Sequence, residues 1–275
     1  MMKWLKDKLE TKPLLHGIWL STGSHAAAEI AAEAGFDWAL LDLEHGLGGE
    51  QELLRALQVM SRTDTTPVVR VPSSESDLVK KALDFGASAV MAPMINTASE
   101  AERFVRAMRY PPLGVRGLTA SSRAASYGYD FKEYFRQANT RVCGIAQIET
   151  GRAVEQADAI AAVDGIDVLF IGHSDLSLEL GCFGDFDSPL MREAEGAVLD
   201  ACASHGKKAG MLLKLGMSAE ACRQKGFSFL ALGSEIGCLR QGFDHLIKTA
   251  RRTPVTIQQD QSMTTTHIEK ESTNP

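Results

Sequence analysis

The sequence predicts a (β/α)8 barrel. Eight apolar runs of strand length alternate with stretches of helical periodicity along the 275 residues. That many βα units in about 250 residues is the content of such a barrel. Several of the runs also end in acidic, basic or imidazole side chains, which suits a fold whose functional groups sit at the C-terminal ends of its strands. A doubly wound open sheet is the alternative, but it calls for a switch point and a glycine-rich first turn, and neither is found.

The elements follow in order. Residues 2–10 read as a short amphipathic helix and 15–20 as the first strand, ending near Trp19. Ser24 closes a loop with a good N-cap, and a helix from Ala26 to Ala34 stops at Gly35. The second strand is the apolar run Trp38-Ala39-Leu40-Leu41, which delivers Asp42, Glu44 and His45 at its end. A helix over 50–61 leads to a third strand, 66–71, carrying Arg70. A helix over 76–85, a fourth strand over 87–93 and a helix over 98–109 come next. Residues 110–140 form a long insertion rich in Gly, Ser, Arg and aromatic residues, with a short helix near 131–137; loops of that length are usually functional or disordered. The fifth strand, 142–148, ends in Glu149, and a helix starts near Gly151. The sixth, 167–172, runs into His173, Ser174 and Asp175. A helix over 189–205, a strand over 208–213, a helix over 218–225, a strand over 227–232 and a last helix to about Arg251 complete eight units. Residues 1–252 are therefore expected to form one barrel domain, and the polar, aperiodic 253–275 a disordered tail.

Composition narrows the partners. A hydrophobic content of 44% supports a large core. A net charge of −6 with no basic stripe argues against nucleic acid. No apolar run approaches a membrane span, and the first residues lack a signal-peptide core. Cys143, Cys182, Cys202, Cys222 and Cys238 are scattered and contain no C-x-x-C pair, so reduced thiols in a cytoplasm are expected rather than disulfides or a zinc site.

The strand ends carry the chemistry. Glu149 and Asp175 end adjacent strands, whose axes lie about 5 Å apart. Two carboxylates that close repel unless a proton or cation lies between them. A divalent cation, Mg²⁺ or Mn²⁺, is the expected filler, completed by water and substrate oxygens. The alternative is that each acid pairs with an arginine, but Arg70 alone sits at a strand end and cannot serve both. Such a cation can chelate a 2-oxo acid and act as a Lewis acid. Arg70 adds a fixed positive charge where the enolate oxygen develops. His45 is a candidate general acid–base group, with Asp42 placed to orient its ring.

Taken together, Leu41-Asp42-Leu43-Glu44-His45-Gly46, Val69-Arg70-Val71, the Tyr110–Gly117 segment, Gln147-Ile148-Glu149-Thr150 and Ile171-Gly172-His173-Ser174-Asp175-Leu176-Ser177 resemble the HpcH/HpaI family of class II pyruvate aldolases over roughly residues 10–250. The resemblance implies a barrel of the phosphoenolpyruvate/pyruvate type, assembled as a hexamer. It implies a 4-hydroxy-2-oxo acid substrate, such as 4-hydroxy-2-oxoheptane-1,7-dioate or a 2-keto-3-deoxy sugar acid, cleaved to pyruvate and an aldehyde. It implies a divalent metal (Mg²⁺, Mn²⁺ or Co²⁺) at Glu149 and Asp175, Arg70 at the pyruvate enolate, and His45 in proton transfer. Gln147 and the backbone of Ser174 and Asp175 fall near pyruvate, and Trp19, Leu118 and Leu212 match substrate-lining positions. Asp84, late in its helix, cannot reach its own mouth; the resemblance pairs it with His45 of a neighbouring subunit, and a surface aspartate is the alternative. His173 departs from the family's usual proline, as a tolerated turn residue or as an added titrating group beside the metal.

Other functions are weaker. A lyase acting on a CoA thioester or a phosphoenolpyruvate-type substrate would show a basic patch near the mouth, and none is seen. A non-enzymatic binding barrel does not explain the set His45, Arg70, Glu149 and Asp175. A Schiff-base aldolase is disfavoured because no lysine lies within strands five or six; Lys214 follows the seventh.

Overall fold

The computed structural model describes residues 3–214 and 216–252. Eight parallel strands close in sequence order into one barrel: β1 (Leu15–Leu20), β2 (Trp38–Asp42), β3 (Thr66–Arg70), β4 (Ala89–Ala92), β5 (Cys143–Ile148), β6 (Ile166–Ile171), β7 (Lys208–Leu212) and β8 (Phe229–Ser234). The helices are α1 (Leu5–Thr11), α2 (His25–Glu33), α3 (Glu50–Met60), α4 (Ser76–Asp84), α5 (Ala98–Met108), α6 (Phe131–Arg141), α7 (Gly151–Glu155), α8 (Ala157–Ala161), α9 (His173–Glu179), α10 (Pro189–Ser204), α11 (Ala219–Lys225) and α12 (Glu235–Arg252). The predicted barrel is the observed fold.

The strands read as continuous apolar runs because both of their faces are covered. Inside the barrel, Trp38 stacks on Phe229 with centroids 4.1 Å apart, and Val68, Met91, Val168 and Phe170 fill the remaining space. Leu5 and Leu9 of α1 belong to this same inner cluster and close the N-terminal end. The outward strand residues, Leu41, Val69, Val90, Ala146 and Leu169 among them, pack under the helices.

Three local differences from the sequence reading have physical causes. The insertion holds α6 together with a 3-10 turn, Arg123–Gly128, in which Ser126 and Tyr127 adopt positive φ. It is pinned by Arg116, whose buried guanidinium pairs with Asp84 at 2.7 Å, hydrogen-bonds Tyr134 at 2.9 Å and lies 4.5 Å from the Tyr110 ring centroid. The helix after β5 breaks at Gln156 into α7 and α8. His173-Ser174-Asp175, read as a strand-end loop, is the first turn of α9.

The chain divides into two compact units, Met1–Cys238, which contains every strand of the barrel, and Leu239–Pro275. In the second unit α12 exposes Leu239, Phe243, Leu246 and Ile247 along one side. The tail expected at 253–275 lies outside the described residues. Among the described residues no helix is long and apolar enough to cross a membrane.

Candidate active site

The mouth is built where β2, β3, β5, β6 and β7 end. Asp42 and Arg70 are register partners across β2 and β3. Their side chains meet in a two-pronged pair, Nε to Oδ1 at 2.9 Å and NH2 to Oδ2 at 2.7 Å, both almost wholly buried. Glu44 takes the remaining prong, with Oε2 2.8 Å from Arg70 NH1. Trp19 donates its indole N–H to Asp42 at 3.1 Å, and its ring lies 4.7 Å from the Arg70 guanidinium carbon. Burial alone would push the Asp42 carboxyl up, but the hydrogen bonds and charge of Arg70 hold it below its ordinary value. Glu44 goes the other way, raised by burial against the pull of Arg70 and His45.

The turn after β2 differs from the expectation for His45. Asp42 Oδ1 accepts the backbone amides of Glu44 at 3.1 Å and His45 at 3.3 Å, so it fixes the turn rather than the ring. The exposed imidazole leans instead toward Glu44, with Nε2 3.9 Å from Oε1. A neighbour close in sequence reaches the main chain because a short acidic side chain at a turn bonds the amides two and three residues on.

Glu149 follows β5, and β5 pairs with β6. Its Oε2 accepts the Met94 amide at 3.1 Å, and Gln147 donates its side-chain amide to Oε1. Gly172 makes room for it: a Cβ there would fall 2.6 Å from the Glu149 Cγ. Burial pushes the Glu149 carboxyl up to about 7; the Met94 amide and Arg70 oppose this, while the charges of Asp175 and Glu44 add to it. No arginine or lysine of the described residues forms an ion pair with Glu149 or Asp175, because Arg70 is taken by Asp42 and Glu44. Gln147 Oε1 is buried with no hydrogen-bond partner among the described residues. Two neighbouring acids without a cation, beside an orphaned acceptor, fit a hard divalent ion. No group of three or more His, Cys, Asp or Glu side chains among the described residues is placed to hold a metal. The acid pair would therefore leave most coordination positions to water and substrate oxygens, as Mg²⁺ commonly requires.

His173 is neither an open turn residue nor free beside the acids. It is buried, with Nε2 2.8 Å from Glu195 Oε1 on α10 and Nδ1 3.2 Å from the Ile171 carbonyl oxygen. Burial raises the Glu195 carboxyl, but the contact with His173, with help from Lys225, holds it below the usual range.

A cavity of about 350 Å³ opens over these groups, lined by Trp19, His45, Arg70, Gln147, Ser174, Asp175, Leu212 and Lys214 among others. Two of the named site residues lie outside the cavity of their own chain, as expected for Asp84. Asp84 is clamped by Arg116, and Leu118 is exposed on the insertion that carries Arg116, next to Gly117, where an added Cβ would fall 3.5 Å from Lys80 Cδ on α4. Neither lines the mouth of its own chain, because the insertion after α5 packs beside the end of α4 that precedes β4. Lys214 is the cavity residue the sequence reading left aside. It lies two residues beyond β7, so the strand-end rule applied to that strand points to it.

Eight parallel strands bringing an acid pair, a guanidinium and an imidazole to one mouth define an aldolase-type carbon–carbon lyase. Residues 15–241 match the family model described as HpcH/HpaI aldolase/citrate lyase, and the chain belongs to that family. It is 40% identical over 238 residues to a hydroxypyruvate/pyruvate aldolase of Paraburkholderia phytofirmans, covering 84% of this chain and 91% of that one. It is 34% identical to a 5-keto-4-deoxy-D-glucarate aldolase of Escherichia coli, covering 90% and 96%. The crystal structure of an HpcH/HpaI aldolase/citrate lyase family protein from Burkholderia cenocepacia J2315 superposes with a TM-score of 0.86 at 35% identity, over 90% of this chain and 98% of that one.

Proposed function

We propose that this enzyme reversibly cleaves a 4-hydroxy-2-oxo acid to pyruvate and an aldehyde with a divalent metal at Glu149 and Asp175. The observation that carries this reading is the acid pair left without a cationic partner while Arg70 is committed to Asp42 and Glu44. Glu149 and Asp175 would hold the metal, Mg²⁺ or Mn²⁺ with Co²⁺ as a further candidate, and it would supply Lewis-acid chemistry to the 2-oxo acid. Arg70, held in one orientation by two carboxylates, presents fixed positive charge to the keto oxygen as negative charge develops there. Gln147 and the first-turn amides of Ser174 and Asp175 orient the pyruvate half. His45 takes the proton of the C4 hydroxyl, the C3–C4 bond breaks, the aldehyde leaves, and the electron pair remains as the pyruvate enolate until C3 is protonated. Trp19 and Leu212 wall the cavity around the aldehyde half.

The names of the relatives favour a sugar-acid or hydroxypyruvate-type substrate over 4-hydroxy-2-oxoheptane-1,7-dioate. A homo-oligomer, a hexamer in this reading, is supported by the apolar side of α12 and by Asp84 and Leu118, which do not line the mouth of their own chain. The free thiols support a cytoplasmic enzyme. The test is a retro-aldol assay over a panel of 4-hydroxy-2-oxo acids, with lactate dehydrogenase reporting pyruvate. Pyruvate release from at least one member, competitively inhibited by oxalate, is expected. Pyruvate from none of them refutes the reading.

A further inference from the structure

We propose that Lys214 selects the aldehyde, binding a carboxylate carried at the end remote from the reacting carbonyl. This rests on the aldolase reading above. One arginine and one lysine, Arg70 and Lys214, line the cavity, and they differ in what they are bonded to. Arg70 is paired with Asp42 and Glu44 at the pyruvate end. Lys214 donates to one neutral acceptor, the Ser174 hydroxyl, at 3.1 Å, and no carboxylate of the described residues lies within ion-pair distance of it. It is half-buried, and the Phe186 ring lies 4.3 Å from its ammonium, which holds the charge over an aromatic wall rather than free in solvent. An ammonium has three donors, so two remain for a ligand.

Position gives the charge its meaning. Arg70, Gln147 and Glu149 are buried at the bottom of the mouth and claim the pyruvate half. Leu212 and Lys214 belong to the more exposed lining, where the aldehyde half has to lie. Leu212 offers apolar contact to the aldehyde's carbon chain and Lys214 a positive terminus. The cavity is near the lower end of the range for small-molecule pockets, about 300–1,000 Å³, which suits pyruvate plus a short acidic aldehyde.

The test compares succinic semialdehyde with butanal, a neutral analogue of the same carbon number, as acceptors for pyruvate in the presence of Mn²⁺. Wild type is expected to favour the acid. Lys214→Met is expected to lower the acid-to-neutral ratio of kcat/KM by about tenfold or more, the usual worth of a charge-assisted hydrogen bond. Lys214→Arg, which keeps the charge, is expected to retain most of the preference. A ratio that Lys214→Met leaves unchanged, with both aldehydes slowed alike, overturns the proposal. The aldolase reading itself stands or falls on the panel assay above; if wild type turns over neither of these two aldehydes, calorimetric titration with succinate reads Lys214 separately. Succinate binding weakened about tenfold in Lys214→Met supports the anion site; equal binding, or none in wild type, overturns it.

Discussion

Glu149 builds a pH dependence into the fold that stability measurements can read without any turnover. Its carboxyl titrates at 4.5 in the unfolded chain and at about 7 in the native one. Between those values the native state holds a proton that the unfolded state has released, so stability falls as pH rises. The contribution is complete below about 4.5 and gone above about 7. At about 1.4 kcal/mol per tenfold change in proton concentration, the loss is about 3 kcal/mol. For a chain of this size 1 kcal/mol moves the melting temperature by about 2–4 °C. The part between pH 5 and 7 is about 2.7 kcal/mol, so cation-free wild type is expected to lose about 5–11 °C between pH 5 and pH 8 relative to Glu149→Gln. The glutamine keeps an acceptor for the Met94 amide but has nothing to ionise. The assay is thermal melting of chelator-treated protein across that range. Adding Mn²⁺ at pH 8 should stabilise wild type and leave Glu149→Gln unmoved, since a ligand of the native state alone raises stability by mass action. Melting curves that run parallel with pH refute the electrostatic argument, and equal stabilisation by Mn²⁺ refutes Glu149 as its ligand.

Other expectations concern the reacting groups. Arg70→Ala should slow exchange of pyruvate methyl protons with solvent by about 10²–10³, and Arg70→Lys should recover only part, because a point charge cannot reproduce the planar fork held by Asp42 and Glu44; exchange at the wild-type rate contradicts this role. His45→Ala should slow aldol turnover by about 10²–10⁴ while leaving pyruvate affinity by calorimetry nearly intact, and near-normal turnover would move the proton to another carrier. Chelation should abolish cleavage, with Mg²⁺ or Mn²⁺ restoring it. Borohydride with pyruvate should leave every lysine unmodified by mass spectrometry; an adduct on Lys214, which does line the cavity, would replace the metal mechanism with a Schiff base.

The sequence exposed the barrel because buried parallel strands have no alternation to obscure them, and each ends close to a side chain that the barrel has reason to gather. Asp42 and Arg70 are the last residues of β2 and β3, and Glu149 follows β5 directly. What stayed hidden depended on chain path or partner choice. Nearness in sequence linked Asp42 with the His45 ring, whereas strand register gives its carboxylate to Arg70 and the turn gives it the His45 amide. The α9 helix has seven residues and starts immediately after an apolar strand, too short for its period to declare itself. Leu118 matched a lining position, but it is exposed on the insertion and does not line the cavity of its own chain. His173 was legible as an oddity only; its partner Glu195 is supplied by α10, and no local pattern links the two.

The closure of the barrel by Leu5 and Leu9 imposes a sequence on molecular traffic. With one end plugged, everything enters and leaves through a single opening. Arg70, Gln147 and Glu149, at the pyruvate end, are buried, while His45 and Lys214 stand nearer solvent. On the proposed site, an aldehyde seated first would block the way to Arg70 and Gln147, so condensation is expected to load pyruvate first and cleavage to release it last. Steady-state cleavage kinetics then take an ordered form. Pyruvate competes with the substrate for free enzyme, and the aldehyde inhibits noncompetitively. A packing detail at the foot of the barrel thus reaches the rate law at its mouth.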